Sequence, residues 1–155
     1  MNAHVVAITL ADAAATRSWG CRVGALLEPG DLVILDGPLG AGKTTFAQGV
    51  GEALAVPTPV RSPTYTIADV HDGGRVRLVH VDAYRLGSAA ELDDIDLPTD
   101  GAVTLVEWGL GRAEQLAESY LLVRLDRPAG TDVRTLSIDV VGAGLSERIT
   151  GERLR

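Results

Sequence analysis

The sequence predicts an α/β fold: three layers, α/β/α, around a mixed, mainly parallel sheet in one domain spanning residues 1–155. Three observations predict it. Apolar runs of strand length, such as Leu32-Val33-Ile34-Leu35 and Ala102-Val103-Thr104-Leu105-Val106, read as buried strands. They alternate with stretches of helical character, the order that places helices on the faces of a sheet. One junction, Gly37-Pro38-Leu39-Gly40-Ala41-Gly42-Lys43-Thr44-Thr45, joins such a strand to such a helix through a glycine-rich loop.

The elements follow in order. A short strand is expected over His4 to Leu10. Asp12 is placed to N-cap a helix from about Ala13 to Leu27, with Ala14, Trp19, Val23 and Leu26 or Leu27 on its buried face. Glu28-Pro29-Gly30-Asp31 is a turn, and Leu32 to Asp36 is the strand that feeds the glycine loop. The next helix is expected from Lys43 to about Ala55, ended by Pro57 and Pro59. A strand over Thr64 to Val70, a hairpin turn at His71-Asp72-Gly73-Gly74 and a returning strand from Arg75 to Asp82 come next. Ser88 to Ile95 suits a short capped helix, and Ala102 to Val106 a buried strand ending in Glu107 and Trp108. A short helix over Arg112 to Glu118, strands over Leu121 to Leu125 and Arg134 to Val141, and a helical or frayed tail over residues 146–155 complete the chain.

Composition narrows the function. The 155 residues carry a net charge of −7, which argues against a strongly basic nucleic-acid surface. Cys21, the single cysteine, has no partner for an internal disulfide and fits a reducing cytoplasm as small core filler. The N-terminal stretch has no basic leader, so a strand is expected there and no signal peptide. No apolar run approaches the roughly 20 residues of a membrane span.

The glycine loop carries the chemistry. It fits G-x-x-x-x-G-K-[ST] without a mismatch. Gly37, Gly40 and Gly42 let the backbone curl so that successive N–H groups face an anion, and Leu39, Ala41 and Thr45 add backbone to that cradle. The helix start behind them favours negative charge. Lys43 can reach terminal phosphates, and the Thr44 hydroxyl is a hard oxygen ligand suited to Mg²⁺. Lys43 is also the only lysine, against thirteen arginines. Where a surface charge suffices the chain uses Arg; here it uses a compact ammonium. The class implied is a P-loop NTPase.

Such a loop needs an acid at the end of a neighbouring strand. Asp82, after Leu78-Val79-His80-Val81, and Glu107, after Val103-Thr104-Leu105-Val106, both qualify, and their pattern does not rank them. His80 reads as a hydrogen-bonded core histidine and Trp108 as a core residue more readily than a nucleotide platform. Tyr84 and Arg85 suit a packed aromatic and a cation that faces solvent, phosphates or Asp82. Ser62-Pro63-Thr64 occupies the slot where many P-loop proteins keep a γ-phosphate-sensing loop.

Taken together and in this order, GPLGAGKTT, SPTYT, His80-Val81-Asp82-Ala83-Tyr84-Arg85-Leu86 and Val106-Glu107-Trp108 resemble the TsaE family, over Leu10 to about Leu136. That family supplies the ATPase of bacterial tRNA threonylcarbamoyladenosine synthesis and acts with the TsaB–TsaD pair. The resemblance implies ATP and Mg²⁺ as cofactors, with Thr44 and Glu107 as metal ligands. It places Asp82 in a motif important for hydrolysis, makes Ser62-Pro63-Thr64 switch-like, and puts Ala13 and Gly130 near the adenosine. It implies contact with tRNA only through the partners, in the cytoplasm and off the membrane. Pro38 stands where the family often has Asp, and Gly109-Leu110-Gly111 follows Trp108 where Pro or a polar residue with an acid is commoner.

Three other classes compete. A small-molecule kinase would want an Arg-rich lid, and Arg124, Arg127 and Arg134 read as too scattered to form one. Within the ATPase reading, Arg85 is the candidate cis arginine, and its orientation is not legible from the sequence. A non-hydrolysing nucleotide-dependent binding module would show no turnover with all partners present. A GTPase would want an N/T-K-x-D motif, and the sole lysine is already in the loop.

Overall fold

The computed structural model of the protein describes residues 2–63 and 66–155. The elements are β1 (Asn2–Leu10), α1 (Ala13–Leu26), β2 (Leu32–Asp36), α2 (Lys43–Ala53), β3 (Ala68–His71), β4 (Arg77–Asp82) and α3 (Ala89–Asp93). They continue with β5 (Ala102–Glu107), a 3₁₀ turn (Glu114–Leu116), β6 (Tyr120–Asp126), β7 (Arg134–Val141), α4 (Ala143–Ser146) and α5 (Gly151–Leu154).

The strands form one sheet in the order β1-β7-β6-β2-β5-β4-β3. The inner strands β6, β2, β5 and β4 are parallel, whereas β3 and β7 run against their neighbours and β1 runs against β7. The sheet is therefore mixed and mainly parallel, as expected. Its pleat explains the two cores. Val33 and Leu35 of β2 join Leu78, Val103, Leu105, Leu121 and Val123 beneath α1 and α2. Leu32 and Ile34 join Val79, Val81 and Val106 on the opposite face, covered by Leu92 of α3 and Leu116 of the 3₁₀ turn.

Asp12 caps α1 as expected, its side chain accepting from the Ala15 N–H at 2.9 Å. The buried face is Thr16, Trp19, Gly20, Val23 and Gly24, while Ala14 is exposed. Glycine enters that face because α1 packs closely on α2. A Cβ on Gly20 would lie 2.2 Å from the Phe46 carbonyl oxygen, and one on Gly49 would lie 2.0 Å from that of Arg17. Backbone meets backbone, which only glycine allows. We therefore expect Gly49→Ala to destabilise the fold by roughly 1–3 kcal/mol through overpacking. That outcome opposes the gain of about 1 kcal/mol that helix propensity alone assigns to alanine. Urea denaturation distinguishes the two; a stabilised variant would contradict so close a helix contact.

Other boundaries shift for local reasons. The strand expected from Thr64 begins only at Ala68, and Thr64 and Tyr65 lie outside the described residues. The returning strand starts at Arg77 rather than Arg75. The Arg75 guanidinium instead donates to the Gly24 and Leu27 carbonyls at the end of α1, at 3.0 and 3.2 Å. Helix α2 stops at Ala53, and the helix expected over 112–118 is reduced to its 3₁₀ turn. The tail takes the helical alternative, with α5 over Gly151–Leu154: Leu145, Ile149 and Leu154 are buried, and Arg148 pairs with Asp31 at 2.6 Å. Cys21 is only half-buried, and its thiol donates to Glu52. Burial, with help from the Glu52 carboxylate, pushes that thiol above its ordinary value. Among the described residues, no helix is long and apolar enough to cross a membrane.

Candidate functional site

Strand order decides what surrounds the glycine loop. β2 ends at Asp36, with β5 on one side and β6 on the other. Because β4, β5 and β6 run parallel to β2, their last residues, Asp82, Glu107 and Asp126, emerge at the same edge. Because β7 is antiparallel to β6, its first residue, Arg134, emerges there too. This is the carboxyl edge, where ligands of such sheets bind.

The loop follows from glycine at particular places. Gly42 caps α2 with φ at +109°, a conformation L side chains resist. Gly37 passes so close to β6 that a Cβ there would lie 2.1 Å from the Leu125 carbonyl oxygen. A cavity of about 440 Å³ opens beside the loop, lined by Leu39, Gly40, Gly42, Lys43, Thr44 and Thr45 from the loop and helix. Ser62, Asp82, Glu107, Trp108, Arg127 and Arg134 line its other walls. A larger groove of about 640 Å³ runs along β1, β6 and β7 past Thr9, Thr135 and Ser137. That groove contains neither Lys43 nor Glu107, so the chemistry resides in the smaller cavity.

Lys43 is nearly buried, at 5% exposure. Its Nζ donates to the carbonyls of Gly37 at 2.5 Å and Pro38 at 2.9 Å, and lies 3.9 Å from the centre of the Trp108 ring. Burial pushes its ammonium below the ordinary value, opposed by the nearby carboxylates of Glu107, Asp36 and Asp82. The sole lysine is thus held at the loop by its own backbone and by an aromatic face.

Thr44 Oγ1 donates to Glu107 Oε1 at 3.1 Å. Glu107 is 3% exposed, and its Oε2 accepts from His80 Nε2 at 2.6 Å. His80 is therefore a hydrogen-bonded core histidine, as its setting predicts, and what it holds is the acid facing Thr44. Asp82 is placed differently. Its Oδ2 accepts from Ser62 Oγ at 3.0 Å and its Oδ1 from the Tyr84 N–H at 3.0 Å. Ser62 is thereby tied to an acid of the cavity, with Pro63 lining the adjoining cleft beside Tyr84 and Arg85. Thr64 lies outside the described residues.

Trp108 is not a plain core residue. Its φ is +61°, unusual for a bulky side chain, and its ring meets Tyr84 at 5.0 Å as well as Lys43. Arg85 is exposed. Ala13 and Gly130 are exposed and do not line the cavity, and Ala41 is buried beneath the loop. Thr16, one turn beyond Ala13, does reach the loop: its methyl would sit 3.3 Å from a Cβ on Gly42.

Arg127 and Arg134 are not evident as site residues from the sequence. They read as scattered, with Arg85 the candidate cis arginine, yet both line the cavity and Arg85 does not. Arg127 Nη1 donates to the Gly40 carbonyl at 3.4 Å, and its Nη2 pairs with Asp132 at 3.0 Å. No local pattern marks these two residues; the β6-β7 hairpin brings them there.

The donor set fits a nucleotide phosphate chain with a hard divalent ion. Cations of Lys43, Arg127 and Arg134 face one cavity with the open backbone of Gly40, and a hydroxyl and a carboxylate meet at Thr44 and Glu107. Fold and loop together define a P-loop protein.

Comparison with known proteins makes this specific. Residues 10–136 match the family profile described as "Threonylcarbamoyl adenosine biosynthesis protein TsaE". The chain is 47% identical over 140 residues to the tRNA threonylcarbamoyladenosine biosynthesis protein TsaE of Streptomyces coelicolor, covering 85% of this chain and 92% of that one. The protein of the same name from Bacillus subtilis is 40% identical over 128 residues, covering 82% and 80%. The crystal structure of Bacillus subtilis YdiB superposes with a TM-score of 0.74 at 32% identity, over 92% of this chain and 88% of that one. The chain belongs to the TsaE family.

Proposed function

We propose that this chain is the ATP-binding and ATP-hydrolysing component of the tRNA N6-threonylcarbamoyladenosine machinery, acting in the cytoplasm on a TsaB–TsaD-type protein pair. The observation that carries the reading is the convergence of Lys43, Thr44, Asp82 and Glu107 on one cavity at the glycine loop, in a chain of this family. The loop from Gly37 to Thr45 receives the phosphates, with Lys43 moving from its own carbonyls toward their oxygens. Thr44 and Glu107 would hold Mg²⁺, and His80 keeps Glu107 turned toward Thr44. The ion supplies positive charge against the phosphate oxygens when bound. Asp82 orders the attacking water, and its hydrogen bond to Ser62 couples that acid to the switch-like segment. Ala13 and Gly130 border the adenosine. Contact with tRNA runs through the partners, because a net charge of −7 is poorly suited to gripping a polyanion.

The test separates metal from nucleotide. Calorimetric titration of ATP with and without Mg²⁺ is expected to show that Glu107→Gln or Thr44→Ala removes most of the Mg²⁺-dependent gain while metal-free binding stays comparatively intact. Asp82→Ala is expected to lose hydrolysis more than binding. Unaltered Mg²⁺ dependence in both of the first two variants would move the metal ligand to Asp82.

A further inference from the structure

Arg134 opens β7 and is 6% exposed. Its Nη1 donates to the Asp132 carbonyl at 2.6 Å, but its Nε is buried without a hydrogen-bond partner. The acids that pair with arginine serve Arg17, Arg77, Arg127 and Arg148; among the described residues, none pairs with Arg134. A buried guanidinium without a carboxylate is costly, and a buried polar atom left unpaired calls for a specific account.

Its position supplies one. The Nε lies 3.3 Å, and the Cδ 3.6 Å, from where a Cβ on Gly42 would stand, so the guanidinium fills the space that glycine leaves at the start of α2. It lines the same cavity as Lys43 and Thr44. Arg127 is already engaged with Asp132 and the Thr131 carbonyl, so it is the outer and more committed of the two cations. We propose that Arg134 is a nucleotide-binding residue whose guanidinium donates to the phosphate chain held by the glycine loop. The inference rests on the nucleotide reading above. A planar fork of donors suits phosphate oxygens, and an anion seated there would satisfy the orphaned Nε.

The alternative is a structural tether that merely holds the Asp132 loop. Calorimetry with ADP and with inorganic pyrophosphate separates the two, using the wild-type protein, Arg134→Met and Arg134→Lys. If the wild type binds no ADP, the nucleotide reading itself fails. If it does, Arg134→Met is expected to weaken ADP and pyrophosphate alike by about 10- to 100-fold. Arg134→Lys, which keeps the charge without the fork, is expected to recover part of that loss. Unchanged ADP affinity in a folded Arg134→Met protein, or loss of ADP binding with pyrophosphate binding intact, overturns the inference alone. Should the variants not fold, arginine Nε–H resonances of the wild-type protein decide. Contact with phosphate predicts that one protected Nε–H moves downfield on adding ADP or pyrophosphate, and absence of such a shift overturns the inference.

Discussion

Lys43→Ala is expected to weaken ATP and ADP binding by about 10- to 100-fold, the equivalent of one charge-assisted contact of about 1.5–3 kcal/mol. The setting of its ammonium explains the size of the effect. Lys43 is the only lysine of the chain, and its Nζ is held 2.5 and 2.9 Å from two loop carbonyls under the Trp108 ring. The same residue lines the cavity beside the loop. Alanine removes that cation and leaves the Gly37 and Pro38 carbonyls without their donor, so the loop loses both its ligand contact and its internal tie. Lys43→Arg is expected to fail as well, since a guanidinium does not fit where a compact ammonium sits between carbonyls and an indole. Calorimetry on folded variants is the check. Affinity equal to wild type in Lys43→Ala would remove the phosphate role of the loop.

The second large effect concerns partners. ATP turnover by the isolated chain is expected to be slow and to rise on the order of 10³-fold when a TsaB–TsaD heterodimer is added. Asp82 is engaged by Ser62 and by the Tyr84 N–H, and Lys43 by its own loop, so both must exchange these partners to act on a γ-phosphoryl. Arg85, on the same loop as Tyr84, is exposed and lines the cleft beside the cavity with Ser62 and Pro63. A partner that packs on this cleft can redirect the segment and complete the site. With Arg127 and Arg134 already lining the cavity, the stimulation needs less than the upper end of what a supplied arginine provides. Turnover is to be measured for the chain alone, with tRNA alone, and with the heterodimer. Fast turnover alone, or stimulation by tRNA without protein, would defeat this reading.

Much of this molecule was legible because its signals are local. The glycine loop needs particular backbone conformations within nine residues, and only glycine supplies them. Strands β2, β5 and β7 were found at or within one residue of their observed ends, because apolar runs between turns carry their own boundaries. Asp82 and Glu107 could be nominated from their place at strand ends. Nothing in the pattern ranked them, however. That division appears only where Glu107 meets Thr44 and His80, across 63 and 27 residues, and Asp82 meets Ser62.

By itself the sequence determined the class of fold, the glycine loop and the two acids at their strand ends, since each depends on residues close in the chain and on backbone requirements that neighbours express. The tertiary structure alone decided which side chains share the cavity. Arg134 lies about ninety residues beyond Gly42, and it arrives there because β7 lies antiparallel beside β6 and β6 parallel beside β2. It likewise decided that Gly20 and Gly49 are contact residues rather than weak points of their helices. Strand order and helix contact are set by the simultaneous burial of both faces of a whole sheet, a property of the assembled chain that no short stretch of it encodes.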